Sequence, residues 1–486
     1  MRLSELFREV EFDGSIKNDA DINLVTDDSR LVRPGSLFVC IRHRSFDGHT
    51  AAVDALASGA AAVVTQDRLG LENELRVADS RSAYARLCAA LCNHPERKLR
   101  MIGVTGTNGK TTVTTLIRNI LSDSGTKTLL TGTVCNRLGD ENLPSGLTTP
   151  KPPELYSLLS RAVSQRCKAC VMEASSQALA QGRLEGIDFD AAVFTNITRD
   201  HLDYHGTFEN YISAKKKLFE HSALSIVNLD DPRANEIIAA SKGKIITFST
   251  VLDCADYTAK NISLLSDCVR FELVSKGHIE HIEFASPGLF SVSNAMAAAV
   301  CAVNLGIEPK DAAQSLAKSK SVCGRLERVE CSVPYSVIID YAHTPDGLEQ
   351  VLRALRPSCR GKLIVLFGCG GDRDRTKRPL MGAAACKYAD KIIVTSDNPR
   401  SEDPIKIIGD ILKGTDKKRR NLFVEPDRRK AIALALKTAE PGDTVLLAGK
   451  GHEKYQLIGG EKLPLDERET VRKILELPHD TGRKKQ

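Results

Sequence analysis

The 486 residues are 42% hydrophobic and 27% charged, a globular balance with room for about three domains, which excludes a disordered or fibrous chain. The formal net charge of +6 is small for this length. Basic runs at 215–217, 417–420 and 483–485 break an otherwise interleaved pattern, so no nucleic-acid footprint results.

No apolar stretch approaches the roughly 18 residues of a membrane span, and the first residues carry no apolar signal region. Fourteen cysteines are scattered, many in apolar runs (Cys88, Cys92, Cys301), as expected for small core residues in a reducing compartment. The one C-x-x-C, Cys167 to Cys170, lacks a second pair and reads as structural. A cytoplasmic protein with no membrane or nucleic-acid partner is expected, acting as a monomer.

The chain opens with a small α/β module ending at residue 98. It has an alternating run at 36–41, a helical stretch at 51–58 and a strand-like one at 61–65. Its polar points, Asp27-Asp28-Ser29-Arg30 and Arg44-Ser45-Phe46-Asp47, read from the residues alone as surface turns, and 93–97 as a linker.

A short apolar run then stops at Gly106-Thr107-Asn108-Gly109-Lys110-Thr111-Thr112. Glycines let backbone N–H groups close around phosphate oxygens, a following helix (113–122) offers its positive N-terminus, Lys110 adds a point charge and Thr111 a Mg²⁺ ligand. The spacing departs from a full Walker A loop, whose first glycine falls on Val104.

Residues 99–325 repeat one arrangement, an apolar strand ending in polar groups. Cys170-Val171-Met172 ends at Glu173-Ala174-Ser175-Ser176; 191–194 ends at Thr195-Asn196, with Asp200-His201 soon after; 225–227 ends at Asn228. Alternation with helical stretches predicts a parallel sheet, which binds ligands beyond the carboxyl ends of its strands. Glu173 is then a helix-capping acid or a Mg²⁺ ligand.

From 326 to 486 strands resume at 337–339, 363–367, 392–394 and 445–447, predicting a second doubly wound domain without a phosphate cradle. Its Gly368-Cys369-Gly370-Gly371 run misses the G-x-G-x-x-G spacing, so a nicotinamide cofactor is not expected. In Asp397-Asn398-Pro399-Arg400 the proline fixes a turn, and Arg400 either grips a carboxylate bidentately or bridges to Glu402 or Asp403.

Taken together, 105–112, Glu173-Ala-Ser-Ser176, Thr198-Arg-Asp-His-Leu-Asp-Tyr-His-Gly206, Gly324-Arg-Leu-Glu327, Asp340-Tyr-Ala-His343, Asp397-Asn-Pro-Arg400 and Gly449-Lys-Gly-His-Glu453 resemble the Mur ligases of peptidoglycan precursor synthesis. The resemblance covers nearly the whole chain. It implies an α/β protein of three domains: a small N-terminal domain for the UDP end of the substrate, a central P-loop domain with a parallel or mixed sheet, and a Rossmann-like C-terminal domain that brings an amino acid.

Carried over motif by motif, it implies UDP-muramoyl dipeptide contacts at Asp27, Ser29, Arg44, Ser45, Phe46, Thr148, Thr149, Ser175, Gln181 and Arg183. Asn294 and Asp340 resemble contacts to the base and ribose of ATP. Thr111, Glu173 and His201 resemble Mg²⁺ ligands, and Lys215 falls where the family carries a carbamylated lysine. Lys110, Glu173, His201 and Lys215 form the implied catalytic set. Arg373, Asp397, Asn398, Pro399, Arg400, Gly449 and Glu453 resemble contacts to diaminopimelate, whose second carboxylate suits Arg400.

Such a reaction first phosphorylates a carboxylate with the γ-phosphoryl group of ATP. The amine then displaces phosphate from the acyl phosphate, and a closing third domain protects that intermediate from water.

Overall fold

Strand-forming runs collect into three main sheets and a two-stranded one. The computed structural model describes residues 1–43, 46–416 and 420–475; Arg44 and Ser45, and most of the last two basic runs, lie outside the described residues.

The first sheet is parallel, in the order Leu24–Thr26, Ser36–Val39, Ala60–Thr65, Glu74–Arg76. The run at 36–41 is not the half-exposed strand that alternation implies. Leu37 and Val39 enter one core, while Phe38 and Cys40 enter another with Ala52 and Ala55 of helix Ala52–Ala57. Residues 93–97 form a stiff corner: Asn93 and His94 have φ of +56° and +49°, and Pro95 and Glu96 are buried in a single tight turn.

The central sheet has eleven strands. Its parallel middle runs Thr128–Thr131, Ala169–Glu173, Arg100–Thr105, Ala191–Phe194, Leu224–Asn228, Lys244–Ser249. At one edge Tyr257–Leu264 continues the parallel pairing and opens an antiparallel meander with Val269–Ser275 and His278–Phe284, and two short antiparallel strands extend the other edge.

In the central strand, Met101 points into a core shared with Leu3, Leu37 and Leu87 of the first module and with Tyr156. Ile102 and Val104 point into the opposite core, with Val113 and Ile117 of helix Lys110–Asp123 and Val292 and Met296 of helix Leu289–Asn304. Burial on both faces explains the unbroken apolar run in the sequence.

The third sheet is ordered Glu327–Arg328, Ser336–Asp340, Thr444–Ala448, Leu363–Phe367, Lys391–Val394, Leu422–Val424, parallel except for the first strand. The four strands expected here are present. A hairpin, Tyr455–Ile458 with Glu461–Pro464, lies beside it. Among the described residues no helix is long and apolar enough to cross a membrane.

A buried ion pair ties the loops of this sheet together. Arg428 donates Nε to Glu467 (2.8 Å), Nη1 to the Ser396 carbonyl (3.1 Å) and Nη2 to the Ala448 carbonyl (2.8 Å), and both side chains are fully buried. Arg428→Ala leaves Glu467 buried and unpaired, so unfolding by denaturant should become easier by about 3–5 kcal/mol. The double change Arg428→Met with Glu467→Leu should cost much less; equal losses would show that the pair is not what holds the loops.

Candidate active site

The strand Arg100–Thr105 delivers the chain into the glycine-rich turn, and helix Lys110–Asp123 leaves it with no side chain capping its N-terminus. Its first N–H groups are therefore turned toward whatever anion the loop receives. Both glycines are required by space. A Cβ on Gly106 would stand 1.9 Å from Thr195 Oγ1, and one on Gly109, where φ is +87°, 2.5 Å from Asn294 Oδ1.

The run after the 191–194 strand braces the loop. Asn108 N donates to Asn196 Oδ1 (3.0 Å), Thr107 N to the Asn196 carbonyl (2.8 Å), and Thr195 Oγ1 to the Asn108 carbonyl (2.6 Å). The sequence placed Thr195-Asn196 at a strand end without giving it this role.

Two lysines meet at one atom, Lys215 buried and Lys110 half-buried. Lys110 Nζ donates to the Gly106 carbonyl (2.8 Å) and the Thr107 carbonyl (2.9 Å), and Lys215 Nζ donates to the same Gly106 carbonyl (2.8 Å). Burial lowers the pKa of both, and for Lys215 the charge of Lys110 lowers it further. Lys215 is only 1% exposed, so the surface-lysine reading of its helix, Phe208–Glu220, applies to its neighbours and not to it.

Glu173 is 1% exposed and caps no helix. Its Oε1 accepts from Thr133 N (2.7 Å), and its Oε2 from Thr111 Oγ1 (3.1 Å) and Thr133 Oγ1 (2.9 Å). His201 has φ of +52°, and its Nε2 lies 3.4 Å from Asp200; burial holds its pKa down at about 4, so the imidazole is neutral and able to coordinate. Among the described residues no three His, Cys, Asp or Glu side chains gather as a metal cage by themselves. Thr111 and Glu173 nonetheless offer two hard oxygens side by side, the donor type Mg²⁺ takes beside substrate phosphates.

A cleft of about 600 Å³ joins these groups. Of the expected site residues, Thr107 to Thr112, Thr148, Thr149, Glu173, Ser175, Arg183, His201, Lys215, Asn294 and Asp340 line it. Several are already engaged. Asp340 accepts from Leu326 N and Ala342 N (both 2.7 Å). Ser175 caps helix Ser176–Ala180 and accepts from Thr149 Oγ1 (3.1 Å). Arg183 donates to Gln181 and to the Thr149 carbonyl.

Asp27 does not face the cleft wall. Its carboxylate accepts from Tyr84 (3.1 Å) and lies 3.5 Å from Lys151 Nζ, bracing the first module on the second. Ser29 is half-buried and Phe46 is 49% exposed.

Further groups come from the segment that leads into the third sheet and from its first loop. Arg325 Nη2 donates to Thr111 Oγ1 (3.0 Å) while its guanidinium lies over the Tyr341 ring, and Asn108 Nδ2 donates to Asp346 Oδ2 (3.1 Å). Asp200 sits between His201 and His343 (3.9 Å). Arg325 lies in the Gly324-Arg-Leu-Glu327 motif, which was the available signal.

Arg373, Asp397 to Arg400, Gly449 and Glu453 form a separate group at the carboxyl ends of the third sheet. Gly371 N donates to the Asn398 carbonyl (2.9 Å), and a Cβ on Gly371 would stand 1.9 Å from the Pro399 carbonyl, so this glycine serves close backbone approach. Arg400 has φ of +54° and is held by the hairpin through Arg400 N to the Leu457 carbonyl (3.0 Å) and Gly459 N to the Arg400 carbonyl (2.8 Å).

Arg400 Nη1 donates to the Gly371 carbonyl (2.7 Å), and among the described residues no carboxylate pairs with the guanidinium. The bridge to Glu402 is absent because Glu402 is taken by Arg378 and Arg375, while Asp403 caps helix Pro404–Leu412. Burial and the adjacent Arg373 lower the pKa of Arg400. Two neighbouring cations with free donors make an acceptor for a carboxylate.

A P-loop on a central sheet, facing a third sheet that carries a pair of arginines at its carboxyl ends, is the plan of an ATP-dependent ligase. Family profiles agree: the Mur ligase middle domain matches residues 104–302, the Mur ligase glutamate ligase domain 324–451, and the catalytic domain of the Mur ligase family 21–90. The chain belongs to the Mur ligase family.

It is 43% identical over 479 residues to the UDP-N-acetylmuramoyl-L-alanyl-D-glutamate–2,6-diaminopimelate ligase of Caldanaerobacter subterraneus subsp. tengcongensis, covering 98% of this chain and 99% of that one. It is 42% identical to the protein of the same name from Syntrophomonas wolfei, again over 98% and 99% of the two chains. A solved structure of a ligase of that name superposes with a TM-score of 0.71 at 35% identity, covering 98% of this chain and 99% of that chain. A MurF ligase from Thermotoga maritima in complex with ADP shares the fold, with a TM-score of 0.61 at 19% identity over 93% of this chain and 96% of that one.

Proposed function

We propose that this enzyme joins meso-2,6-diaminopimelate to UDP-N-acetylmuramoyl-L-alanyl-D-glutamate, converting ATP to ADP and phosphate, in peptidoglycan precursor synthesis in the cytoplasm. Full-length relatives at 40% identity and above carry that name, and the observation that fits it to this chain is the unpaired Arg373–Arg400 cluster. Residues 1–98 serve the UDP-muramoyl end, 99–325 bind ATP, and 326–486 bring the amino acid, in a chain that acts as a monomer.

The D-glutamate side-chain carboxylate attacks the γ-phosphorus of ATP, and ADP leaves. The diaminopimelate amine then attacks the acyl carbon, phosphate departs with the acyl oxygen, and the amine loses its proton. Lys110 and the loop N–H groups meet the phosphates, and Lys110 stabilises charge as the phosphoryl group moves.

Thr111, Glu173, His201 and Lys215 are the residues that would hold Mg²⁺, with Lys215 first converted by carbon dioxide to a carbamate. Burial, with the charge of Lys110, lowers the pKa of the Lys215 amine, which favours the nucleophilic form that carbon dioxide requires. Mg²⁺ supplies charge neutralisation for the transferring group.

The direct test mixes protein, ATP, Mg²⁺ and the UDP-muramoyl dipeptide with diaminopimelate, lysine and other amino acids one at a time, and weighs the product. A tripeptide formed with lysine and not with diaminopimelate would overturn the proposal. Arg400→Ala should raise the KM for diaminopimelate about 30- to 100-fold, the loss of a charge-assisted bidentate contact, with the KM for ATP unchanged. A KM for diaminopimelate that stays at the wild-type value would remove Arg400 from the recognition site.

A further inference from the structure

Beneath the acid-binding cluster lies a lysine that the ligation chemistry does not use. Lys450 has no side-chain exposure, and its Nζ donates to Asn398 Oδ1 (2.8 Å) and Glu453 Oε2 (2.6 Å), with the Tyr455 ring 5.3 Å away. Asn398 Nδ2 closes the triangle by donating to the same Glu453 Oε2 (2.9 Å), and Asn398 Oδ1 also accepts from Leu457 N (2.9 Å). The Asn398 carboxamide thus braces the pocket internally. Of the Glu453 carboxylate, Oε2 is fully engaged, which leaves Oε1 to face a ligand.

We infer that Lys450 is a positioning residue for amino-acid selection: it fixes Glu453 and Asn398 beside Arg400. This rests on the ligase reading above. Arg373, Asp372, Asp397 and Glu453 stand around Arg400, and Lys450 adds a cation that answers the Glu453 carboxylate directly. With Glu453 already answered by Lys450, a side chain ending in an ammonium alone finds less to bind, whereas one that also ends in a carboxylate keeps its contact with Arg400. Lys450 also ties Glu453 down, so that its carboxylate does not swing out to meet any ammonium-bearing side chain.

The test compares wild type, Lys450→Met, Glu453→Gln and the double variant, measuring KM and kcat separately for diaminopimelate, lysine, ATP and the UDP-muramoyl dipeptide, together with melting temperature. Lys450→Met is expected to raise the KM for diaminopimelate about tenfold or more. The KM values for ATP and the dipeptide should stay put, and the preference for diaminopimelate over lysine should narrow. Because Lys450 acts through Glu453, the double variant should be no worse than the poorer single one.

The double variant removes both buried charges, so it decides the matter by the same KM comparison if Lys450→Met does not fold. A lowered melting temperature with an unchanged KM for diaminopimelate and unchanged preference would overturn the inference, as would a parallel rise in all three KM values. If wild type uses a different amino acid, the proposed function fails; the same comparison made with that amino acid then judges Lys450 on its own.

Discussion

Lys110→Ala is expected to lower kcat at least about 10³-fold, the scale of removing a preorganised charge from a phosphoryl-transfer site. The lysine is already aimed, since its Nζ rests on the carbonyls of Gly106 and Thr107 at the mouth of the loop. Little rearrangement is needed for it to turn onto a phosphate oxygen. Because those contacts are local, the variant should fold normally and keep its melting temperature within a few degrees. Lys110→Arg should rescue little, because a planar fork replaces a point charge beside a glycine turn packed on Thr195 and Asn294. Phosphate release that survives in either variant at near wild-type rate would take Lys110 out of the chemistry.

Removing Lys215 should cost about 10²–10³ in kcat, the range of a lost electrostatic contact in the transition state. This loss differs in kind from that at Lys110. The expected active form is a carbamate, so wild type incubated with ¹³C-bicarbonate should show a carbamate carbon resonance that Lys215→Ala lacks. Activity should fall when carbon dioxide is rigorously excluded and return when it is restored. Full activity without carbon dioxide, and no such resonance, would leave Lys215 as a plain amine group sharing the Gly106 carbonyl with Lys110.

The phosphate loop was legible because glycine, lysine and threonine at that spacing after an apolar run have few other uses. Lys215 was legible as a site only through the family resemblance. Yet Tyr211, Lys215 and Leu218 are all buried at helical spacing on one face of their helix, while Lys216 pairs with Glu236 on the other side. The side-chain period alone would have put Lys215 inside.

The meander from Tyr257 to Phe284 was not anticipated, although Val269, Phe271 and Leu273 alternate inward along their strand. The short edge strand Leu422–Val424 is largely exposed and offers little pattern to read. Least visible were the couplings across long stretches of chain: Asn398 with Lys450, Arg325 with Thr111, Asp27 with Lys151. Each depends on which loops the sheets bring together, and local propensity carries no such information. Asn398 shows the cost of this: its place in a turn was foreseen, but its amide faces inward to its own scaffold.

The apolar core running without a break from Leu3 through Leu87 and Tyr156 to Ile237 makes the first two modules one solid piece. The span from the first sheet to the phosphate loop is therefore built in when the chain folds. A ligand reaching across both would meet a ruler of set length.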